Sequence, residues 1–425
     1  MKTVCIFLLL SRALSAQTIT TVVGSGEPGF GGDGGSALMA LLNGQGTLAL
    51  DARGNLYLND DINNRIRKVT QSGIITTVIG NGEISSAIEG AATQTGFLSI
   101  YDFATLPDGT IYVGDADGLK KVDIAGNLTF VVTGGSVTGI KISKQGVFYI
   151  GNITAISRLN SDGSQTVVAG SENGDPGDGG LAANAAFYVT TFTTDLIGDI
   201  YILDGTVNKV RKFTPGGAIS TVAGNGTDDF SGDGRPAAQA QLSKPFGLAV
   251  DVAGNIYISD TGNRRIRRVT TDGIINTFAG TGDGSLSGDG GPALQATFNF
   301  PAFLAVNCNA LYISDTNTVR AIALTDPLIA MRGVTSLTTG ALTLRAGTNF
   351  QISGCNLANI VADGGSSLSL AGTTVSMNGV QVPVVSVSPT QVTATLPFGF
   401  PSGATVVKVA RDGIVATAAA ATVVE

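Results

Sequence analysis

One short motif, Gly-Asn-(Ile/Leu)-Tyr, recurs along most of this 425-residue chain and limits what the chain can fold into. It is best preserved in residues 251–280, DVAGNIYISDTGNRRIRRVTTDGIINTFAG. Weaker copies place a tyrosine at the same point of the unit. The six tyrosines are Tyr57, Tyr112, Tyr149, Tyr201, Tyr257 and Tyr312. Intervals of 52–56 residues, with one of 37, indicate a repeat architecture.

Each copy has the same internal order of four apolar segments separated by polar or glycine-containing turns. In the best copy these segments are Gly247–Val250, 255–259, 265–270 and Ile274–Ala279. The Asp-Gly and Ser-Gly turns and the many valines, isoleucines and threonines favour short strands. Four-stranded antiparallel units repeated around an axis are the blades of a β-propeller. The sequence therefore predicts an all-β protein whose main part is a six-bladed β-propeller.

The sixth copy has only three strand segments, near 302–306, 310–314 and 318–323, before Asp326-Pro327 interrupts the pattern. The missing fourth strand has a counterpart at the other end of the chain. Residues 19–24, ITTVVG, closely match ITTVIG at 75–80, the fourth strand of the first copy. We expect this N-terminal strand to pair with residues 319–324 and close the ring, which leaves no unpaired sheet edge at the seam.

A second element, Gly-Asp-Gly, lies between most of the copies and is followed by an alanine-rich turn. Its aspartates are Asp33, Asp178, Asp233 and Asp289. A calcium loop needs several oxygen side chains at alternate positions, and each of these loops offers one or two. Asp-Gly is also the ordinary signature of a tight turn, which is the interpretation that we favour.

The rest of the chain divides into three parts. Residues 1–16 combine Lys2, an apolar run at 4–10 and small residues, a pattern that predicts a cleaved secretory signal peptide. The propeller should occupy 17–326, followed by a linker at 327–333. Residues 334–425, with strands expected near 349–354, 373–378, 380–388, 391–396 and 404–409, predict a small β-sandwich. No later apolar run reaches the roughly 18–20 residues that span a bilayer.

The unit GNIYISDTGNRRIRRVTTDGIINTFAG resembles the NHL repeat, and the six copies resemble a six-bladed NHL β-propeller of secreted bacterial proteins. The sandwich region resembles an IPT/TIG-like, immunoglobulin-like module of the acidobacterial type. This resemblance rests on three segments, FQISGCNLA at 350–358, VSMNGV at 375–380 and VSPTQV at 387–392. The resemblance implies a propeller that binds other molecules, without one fixed activity. Related gluconolactonase-type propellers hold a divalent cation in the central channel.

Composition excludes several classes of function. A formal net charge of −7 argues against a nucleic-acid surface, which needs a basic stripe. The chain has no histidine, which excludes histidine-dependent zinc sites, catalytic triads and lyases. No nucleophile–base pair is recognisable either, since no Gly-x-Ser-x-Gly occurs in a strand–turn–helix context.

The second strand of every copy ends in an acidic or amide residue, and repeat geometry places these residues on one ring. They are Asp60, Asp115, Asn152, Asp204, Asp260 and Asp315. Oxygen ligands around a channel could hold a hard cation such as Ca²⁺. The alternative is structural, with each carboxylate bound to turn amides or to a third-strand base. Those bases are Arg65 or Arg67, Lys120, Arg211, Arg267 and Arg320. The densest basic cluster, Arg264, Arg265, Arg267 and Arg268, is expected to form inter-blade ion pairs.

Two cysteines, Cys308 and Cys355, remain after the predicted signal peptide, either as a disulfide or as two buried thiols. Our leading hypothesis is a secreted, periplasmic or cell-surface binding or scaffold protein without catalysis. We expect a monomer whose propeller loops recognise an extracellular protein or glycan. The rival hypothesis is a divalent-cation-dependent enzyme of lactonase or lyase type, and a third is a structural matrix component. Local function is expected where copies differ, in copies two and three, including Asn152.

Overall fold

The computed structural model describes residues 17–44, 46–171, 174, 177–324, 328–336, 343–345, 349–355, 362–367, 373–378, 380–396, 400–411, 414–415 and 419–424. The predicted signal peptide, 1–16, lies outside these residues. Most described residues belong to short strands, and the short helices are single turns of three residues. Within this part of the chain, no helix has the length and apolar character needed to cross a membrane.

The propeller consists of six antiparallel sheets, which we call blades one to six. Blades one to five are each built around four consecutive strands, and blade six combines three consecutive strands with one from the N-terminus. The strands of blade one are Leu48–Leu50, Leu56–Asp60, Arg65–Val69 and Ile75–Ile79. Those of blade two are Ile100–Thr105, Ile111–Asp115, Gly118–Val122 and Asn127–Thr133. Those of blade three are Gly139–Ile142, Phe148–Gly151, Ile156–Leu159 and Gln165–Ala169.

The second half of the ring repeats this pattern. The strands of blade four are Val189–Thr194, Ile200–Asp204, Lys209–Phe213 and Ser220–Ala223. Those of blade five are Gly247–Val250, Ile256–Asp260, Arg265–Val269 and Ile274–Ala279. Blade six has Pro301–Val306, Ala310–Asp315 and Thr318–Ala323, with Ile19–Val23 as its outermost strand.

The N-terminal strand closes the ring as the sequence predicts. Ile19 lies opposite Ile322, and Thr20 lies opposite Ala321, in an antiparallel pair with the third strand of blade six. The first strands also complete a circle, because each contacts the first strand of the next blade and blade six contacts blade one. The prediction of an all-β propeller closed by its N-terminal strand is confirmed.

The hydrophobic core lies between neighbouring blades. One cluster joins Tyr257 and Phe278 of blade five to Leu304 and Ile313 of blade six. Similar clusters fill the other junctions, because alternate residues of each strand point toward the adjacent blade. The loops between blades support this packing with short 3-10 helices and paired edge segments. The 3-10 helices of these loops are Ala37–Met39, Ala182–Asn184, Ala237–Gln239 and Ala293–Gln295. The paired edge segments are Gly90–Ala91 and Arg235–Pro236. A further 3-10 turn, Thr261–Asn263, lies within blade five.

The C-terminal part forms two sheets that share a core, a β-sandwich as predicted. The first sheet contains Leu328–Ser336, Asn349–Cys355, Gln391–Thr395, Val384–Val387 and Ala362–Ser367. The second contains Thr343–Arg345, Ala419–Val424, Gly403–Arg411, Thr373–Met377 and Val380–Val382, with Ile414–Val415 at its side. Phe350 and Ile352 of the first sheet are buried in the same cluster as Val375 and Val407 of the second.

The boundary between the two parts differs from the sequence prediction. Most of 327–333, expected as a linker, is occupied by the strand Leu328–Ser336, which pairs with Asn349–Cys355. The sandwich therefore begins at Leu328 and not at residue 334. The segment reads LIAMRGVTS, a run of four apolar residues followed by a mixed stretch, and lacks the regular alternation on which a strand prediction depends.

Candidate functional site

The propeller has two faces and a central channel, and strand direction defines all three. Each first strand begins on the face where the second strand ends, as in the pairs Gly247–Ser259 and Pro301–Asp315. We call this the upper face; it carries the turns between the second and third strands. The lower face carries the turns between the first and second strands. The first strands line the channel, which includes a cavity of about 240 Å³ and, toward the lower face, one of about 550 Å³.

One ion pair lies in the wall of the channel. Lys141 Nζ of blade three is 2.6 Å from Asp102 Oδ2 of blade two, and the Asp102 side chain is 5% exposed. The backbone N–H of Ile140 donates to the same oxygen at 2.9 Å, and that of Phe103 donates to Oδ1. Among the described residues that line the 240 Å³ cavity, these two alone carry charge. The pair joins the two blades in which we expected local differences.

Sequence analysis did not select Asp102 or Lys141, although a signal was present. The first strands otherwise contain only aliphatic and aromatic residues, proline, glycine and threonine, so a charged residue in a first strand stands out once the copies are aligned. The motif used for alignment falls on the second strand, which drew attention to the acidic residue at its end. The informative position was therefore one strand closer to the axis.

The predicted ring of acidic residues lies on the upper face, at the ends of the second strands, and each member has partners close to its own position. Asp60 Oδ2 is 3.0 Å from Arg67 Nη1, and Asp260 Oδ2 is 3.2 Å from Arg267 Nη1. Asp115 pairs with Lys120. Within the described part of the chain, the other three members make no hydrogen bond to such a base. Asn152 accepts from the backbone of Thr154 and Ala155, Asp204 from the Thr206 hydroxyl, and Asp315 from the backbone of Asn299 and Phe300.

Burial raises the pKa values of Asp60, Asp260 and Asp315, with hydrogen bonds and the nearby arginines acting in the opposite direction. The six ring positions stand in six different blades. Among the described residues, no group of three or more acidic or cysteine side chains is close enough to hold a metal ion. The contacts present are those of the structural alternative, turn capping and pairing within the blade.

The Gly-Asp-Gly loops bind the buried arginines of the third strands. Their carboxylates lie 2.6–2.9 Å from the arginine Nη2 atoms. The pairs are Asp33–Arg67, Asp178–Arg211, Asp233–Arg267 and Asp289–Arg320. These arginine side chains are at most 2% exposed. Each loop therefore attaches to the blade that follows it, and Asp-Gly supplies an anchor as well as the expected turn.

The basic cluster of blade five only partly matches the prediction of inter-blade ion pairs. Arg267 forms ion pairs with Asp233 of the loop between blades four and five and with Asp260 of its own blade. Arg265 instead donates to the backbone carbonyls of Asn263 and Thr281 and lies 4.1 Å above the centre of the Phe230 ring. Strand alternation does not account for the difference, because positions 265 and 267 share one face of the strand.

Comparison with known proteins connects the repeat with one class of propeller. A family model, the teneurin NHL domain, matches residues 225–287. Teneurin-3 of Mus musculus is 31% identical over 258 residues, which cover 56% of this chain and 8% of that protein. Teneurin-1 of Gallus gallus is 27% identical over 278 residues, covering 60% and 9%. The propeller is of the NHL type. The chain spans less than a tenth of the length of these relatives.

Solved structures agree with this fold. An auxiliary nutrient binding protein from Bacteroides ovatus ATCC 8483 superposes with a TM-score of 0.56 at 16% identity, covering 72% of this chain and 76% of that one. A protein of unknown function from Bacteroides thetaiotaomicron VPI-5482 gives a TM-score of 0.54 at 19% identity, with the same coverage of both chains. At such identities the likeness shows the architecture and leaves the ligand of this NHL-type propeller to be inferred from its surface.

The upper face of the NHL-type propeller exposes large apolar side chains around the mouth of the channel. Seven of them are 38–67% exposed: Ile62, Leu98, Tyr101, Ile153, Tyr188, Val207 and Phe300. They come from blades one, two, three, four and six. Phe246 of blade five packs beside them, with its ring centre 6.2 Å from that of Phe300. Sequence analysis missed this surface because the residues stand at positions where the copies differ from one another, and not at the positions that define the repeat.

Proposed function

We propose that this protein is a non-catalytic binding or scaffold protein and that the upper face of its propeller recognises another protein. The observation that carries the proposal is the set of seven exposed apolar side chains, which we call the upper-face patch: Ile62, Leu98, Tyr101, Ile153, Tyr188, Val207 and Phe300. Aliphatic and aromatic residues exposed together on one face are typical of protein-binding surfaces. The rigid sheets beneath hold these side chains in place before the partner arrives, which lowers the entropic cost of binding.

The chemistry of the patch favours a protein over a glycan. Ile62, Ile153 and Val207 offer apolar surface without hydrogen-bonding groups, which suits the apolar anchors of a protein partner. The channel behind the patch contains one ion pair, Asp102–Lys141, in which each charge is neutralised by the other. A general binding role, with no particular ligand specified, also accords with the NHL-type fold and with the nutrient-binding description of the Bacteroides ovatus neighbour.

We further propose that the protein works outside the cytoplasm as a monomer. The pattern of residues 1–16 is that of a signal peptide, and Cys308 is joined to Cys355 in the structure. Disulfides persist in oxidising compartments, so the bond supports the same location. Closure of the ring leaves no free sheet edge at the seam for pairing with a second copy.

The test compares two charge-matched triple variants on arrays of purified extracellular proteins and neutral glycans. The first, Ile62→Asp/Ile153→Asp/Tyr188→Asp, removes apolar groups from three blades of the patch. The control, Met39→Asp/Val167→Asp/Leu294→Asp, changes residues that are 52–73% exposed outside the upper face. We expect a protein ligand of the wild type to be lost by the first variant and kept by the control. Equal binding by both variants, or ligands among glycans only, would contradict the proposal.

A further inference from the structure

The tyrosine of the repeat unit has a fixed environment in three of the blades. In blades one, four and five its hydroxyl lies 3.1–3.4 Å from an aspartate of the lower-face turn. The tyrosines and aspartates are Tyr57 with Asp51, Tyr201 with Asp195, and Tyr257 with Asp251. A basic residue lies opposite each tyrosine on the third strand: Lys68, Lys212 and Arg268. Tyrosine, acid and base together form a structural triad at the lower end of these blades.

Blade six has lost both charged members of this triad. Asn307 stands where blades one, four and five have the aspartate, and Ala321 lies opposite Tyr312 where they have lysine or arginine. Blades two and three keep the base, because Lys121 lies opposite Tyr112 and Arg158 opposite Tyr149. Among the six described repeat tyrosines, Tyr312 is therefore the one paired with an uncharged residue. Loss of a long basic side chain here leaves space beside the ring.

A cavity of about 550 Å³ occupies this region, between blade six and blade one on the lower side. Its volume falls within the range of about 300–1,000 Å³ that is usual for small-molecule sites. Tyr312, Asn307 and Asn309 form the blade six wall. The closing strand contributes Thr21 and Val22, the loop contributes Ser36 and Leu38, and blade one contributes Leu56, Val69, Thr70, Gln71, Ser72 and Ile74.

The described lining combines hydrogen-bonding and apolar groups without a single charged side chain. Its amides and hydroxyls both donate and accept hydrogen bonds, as the hydroxyl groups of a sugar require. Leu38 and Ile74 are 51% and 38% exposed, and they offer apolar surface to the C–H face of a sugar ring. An ionised ligand would lose its hydration here without meeting an opposite charge, which is unfavourable.

We propose that this cavity, the seam pocket, binds a neutral carbohydrate of one or two sugar units. The site is separate from the upper-face patch, so it adds a second ligand class on the opposite side of the propeller. Cys308 lies between Asn307 and Asn309, and its disulfide with Cys355 fixes the segment that presents both amides. The departure of blade six from the repeat is thus explained as the replacement of a structural triad by a binding surface.

The decisive variant rebuilds the triad of the other blades. Asn307→Asp together with Ala321→Lys restores the acid and the base around Tyr312, an arrangement that blades one and four already fold with. The lysine should fill part of the pocket and place a charge in it. Asn309→Ala is a milder second variant, because Asn309 is exposed and changing it leaves the core intact. The mature wild-type protein and both variants are titrated with glucose, maltose and cellobiose, and with glucosamine and glucuronate as charged analogues.

Ligand-observed NMR and calorimetry report binding. We expect the wild type to bind at least one neutral sugar and neither charged analogue. Asn309→Ala should weaken binding about tenfold, the cost of losing a hydrogen bond or two to a ligand hydroxyl. The rebuilt variant should remain folded by circular dichroism and bind no sugar. Absence of binding to the wild type, or unchanged binding by the rebuilt variant, overturns the proposal. Protein recognition by the upper-face patch should survive in both variants, so the two proposals fail independently.

Discussion

The backbone N–H of Thr21 donates a hydrogen bond to Asp289 Oδ2 at 2.9 Å, across 268 residues of sequence. The other carboxylate oxygen of Asp289 lies 2.6 Å from Arg320 Nη2. Thr21 belongs to the N-terminal strand of blade six and Arg320 to the neighbouring third strand. One loop carboxylate thus holds together the two strands that close the ring, in addition to their own backbone pairing.

Substitution of Asp289 by Asn should therefore destabilise the propeller in a pH-dependent way. Burial acts to raise the pKa of Asp289, but hydrogen bonds from Thr21 and attraction to Arg320 outweigh it, and the net pKa is lowered. A lowered pKa in the folded state gives stability that is present above the ordinary value of 3.8 and is lost as the pH falls through the folded value. We expect a loss of about 2 kcal/mol at neutral pH, reduced from a full buried pair because the carboxylate is partly exposed.

Urea denaturation followed by circular dichroism measures this effect, since the chain contains no tryptophan. The wild type and variant should differ at pH 7 and converge near pH 3. Asp228→Asn is the matched control, an exposed aspartate in another inter-blade loop, and should match the wild type at both pH values. A difference between wild type and Asp289→Asn that grows as the pH falls would contradict the assignment.

Arg267 illustrates the cost of leaving a buried charge without its partner. Its side chain is 0% exposed and binds Asp260, also 0% exposed, and Asp233. Arg267→Met should lower the free energy of unfolding by about 3–5 kcal/mol, because Asp260 remains buried and unpaired. Arg264→Met, the same change at an exposed position, should cost much less.

The double variant Arg267→Met/Asp260→Asn distinguishes pairing from packing. Removal of both charges should recover part of the stability lost by Arg267→Met alone. A double variant that is less stable by the full sum of the two single losses would show that the arginine acts through its shape and not through the pair. Thermal and urea denaturation of the three variants and the wild type provide the comparison.

Much of the fold could be predicted because the repeat supplies six independent readings of one pattern. The fourth strand of blade six was predicted at Ile19–Val23 because its sequence matches that of the fourth strand of blade one, Ile75–Ile79. No such comparison was available for Leu328–Ser336, which occurs once and lacks regular alternation. Comparison of the repeated copies, more than the strand propensity of single segments, allowed the propeller to be predicted from sequence.

The partners of the third-strand bases show where sequence reasoning stops. Arg67 and Arg267 contact both the loop carboxylate and the second-strand carboxylate, while Arg211 and Arg320 form ion pairs with the loop carboxylate alone. The second-strand carboxylate and the arginine are seven residues apart in blades one, four and five, and five residues apart in blade six. Blade four keeps the spacing of blades one and five without forming the second ion pair, so sequence spacing alone does not decide which carboxylates an arginine contacts.

The channel pair offers a third test, on the stability of the junction between blades two and three. Lys141→Met should leave Asp102 with only its backbone donors, Phe103 and Ile140, and without a counter-charge. We expect a loss of about 1–3 kcal/mol in urea denaturation, the range for a hydrogen bond to a charged group. Lys144→Met makes the same change three residues away at an exposed position and should be nearly neutral. Equal losses in both variants would show that the pair contributes nothing specific.

The bond between Cys308 and Cys355 gives the last prediction, because it joins blade six to the sandwich. Trypsin cleaves after lysine and arginine, so Cys308 falls in the peptide 269–320 and Cys355 in 346–408. Without reduction, mass spectrometry should detect these two peptides as one cross-linked species, which separates on reduction.

The same bond should restrain the unfolded chain. It closes a loop with a sequence separation of 47 residues, so Cys308→Ser/Cys355→Ser should lower the stability by about 2–4 kcal/mol. Asn309→Ala serves as the control, because it changes the residue next to Cys308 without breaking the disulfide. Two peptides that separate without reductant and carry alkylated thiols would instead show that the cysteines are free in solution, and the double serine variant should then be as stable as the wild type.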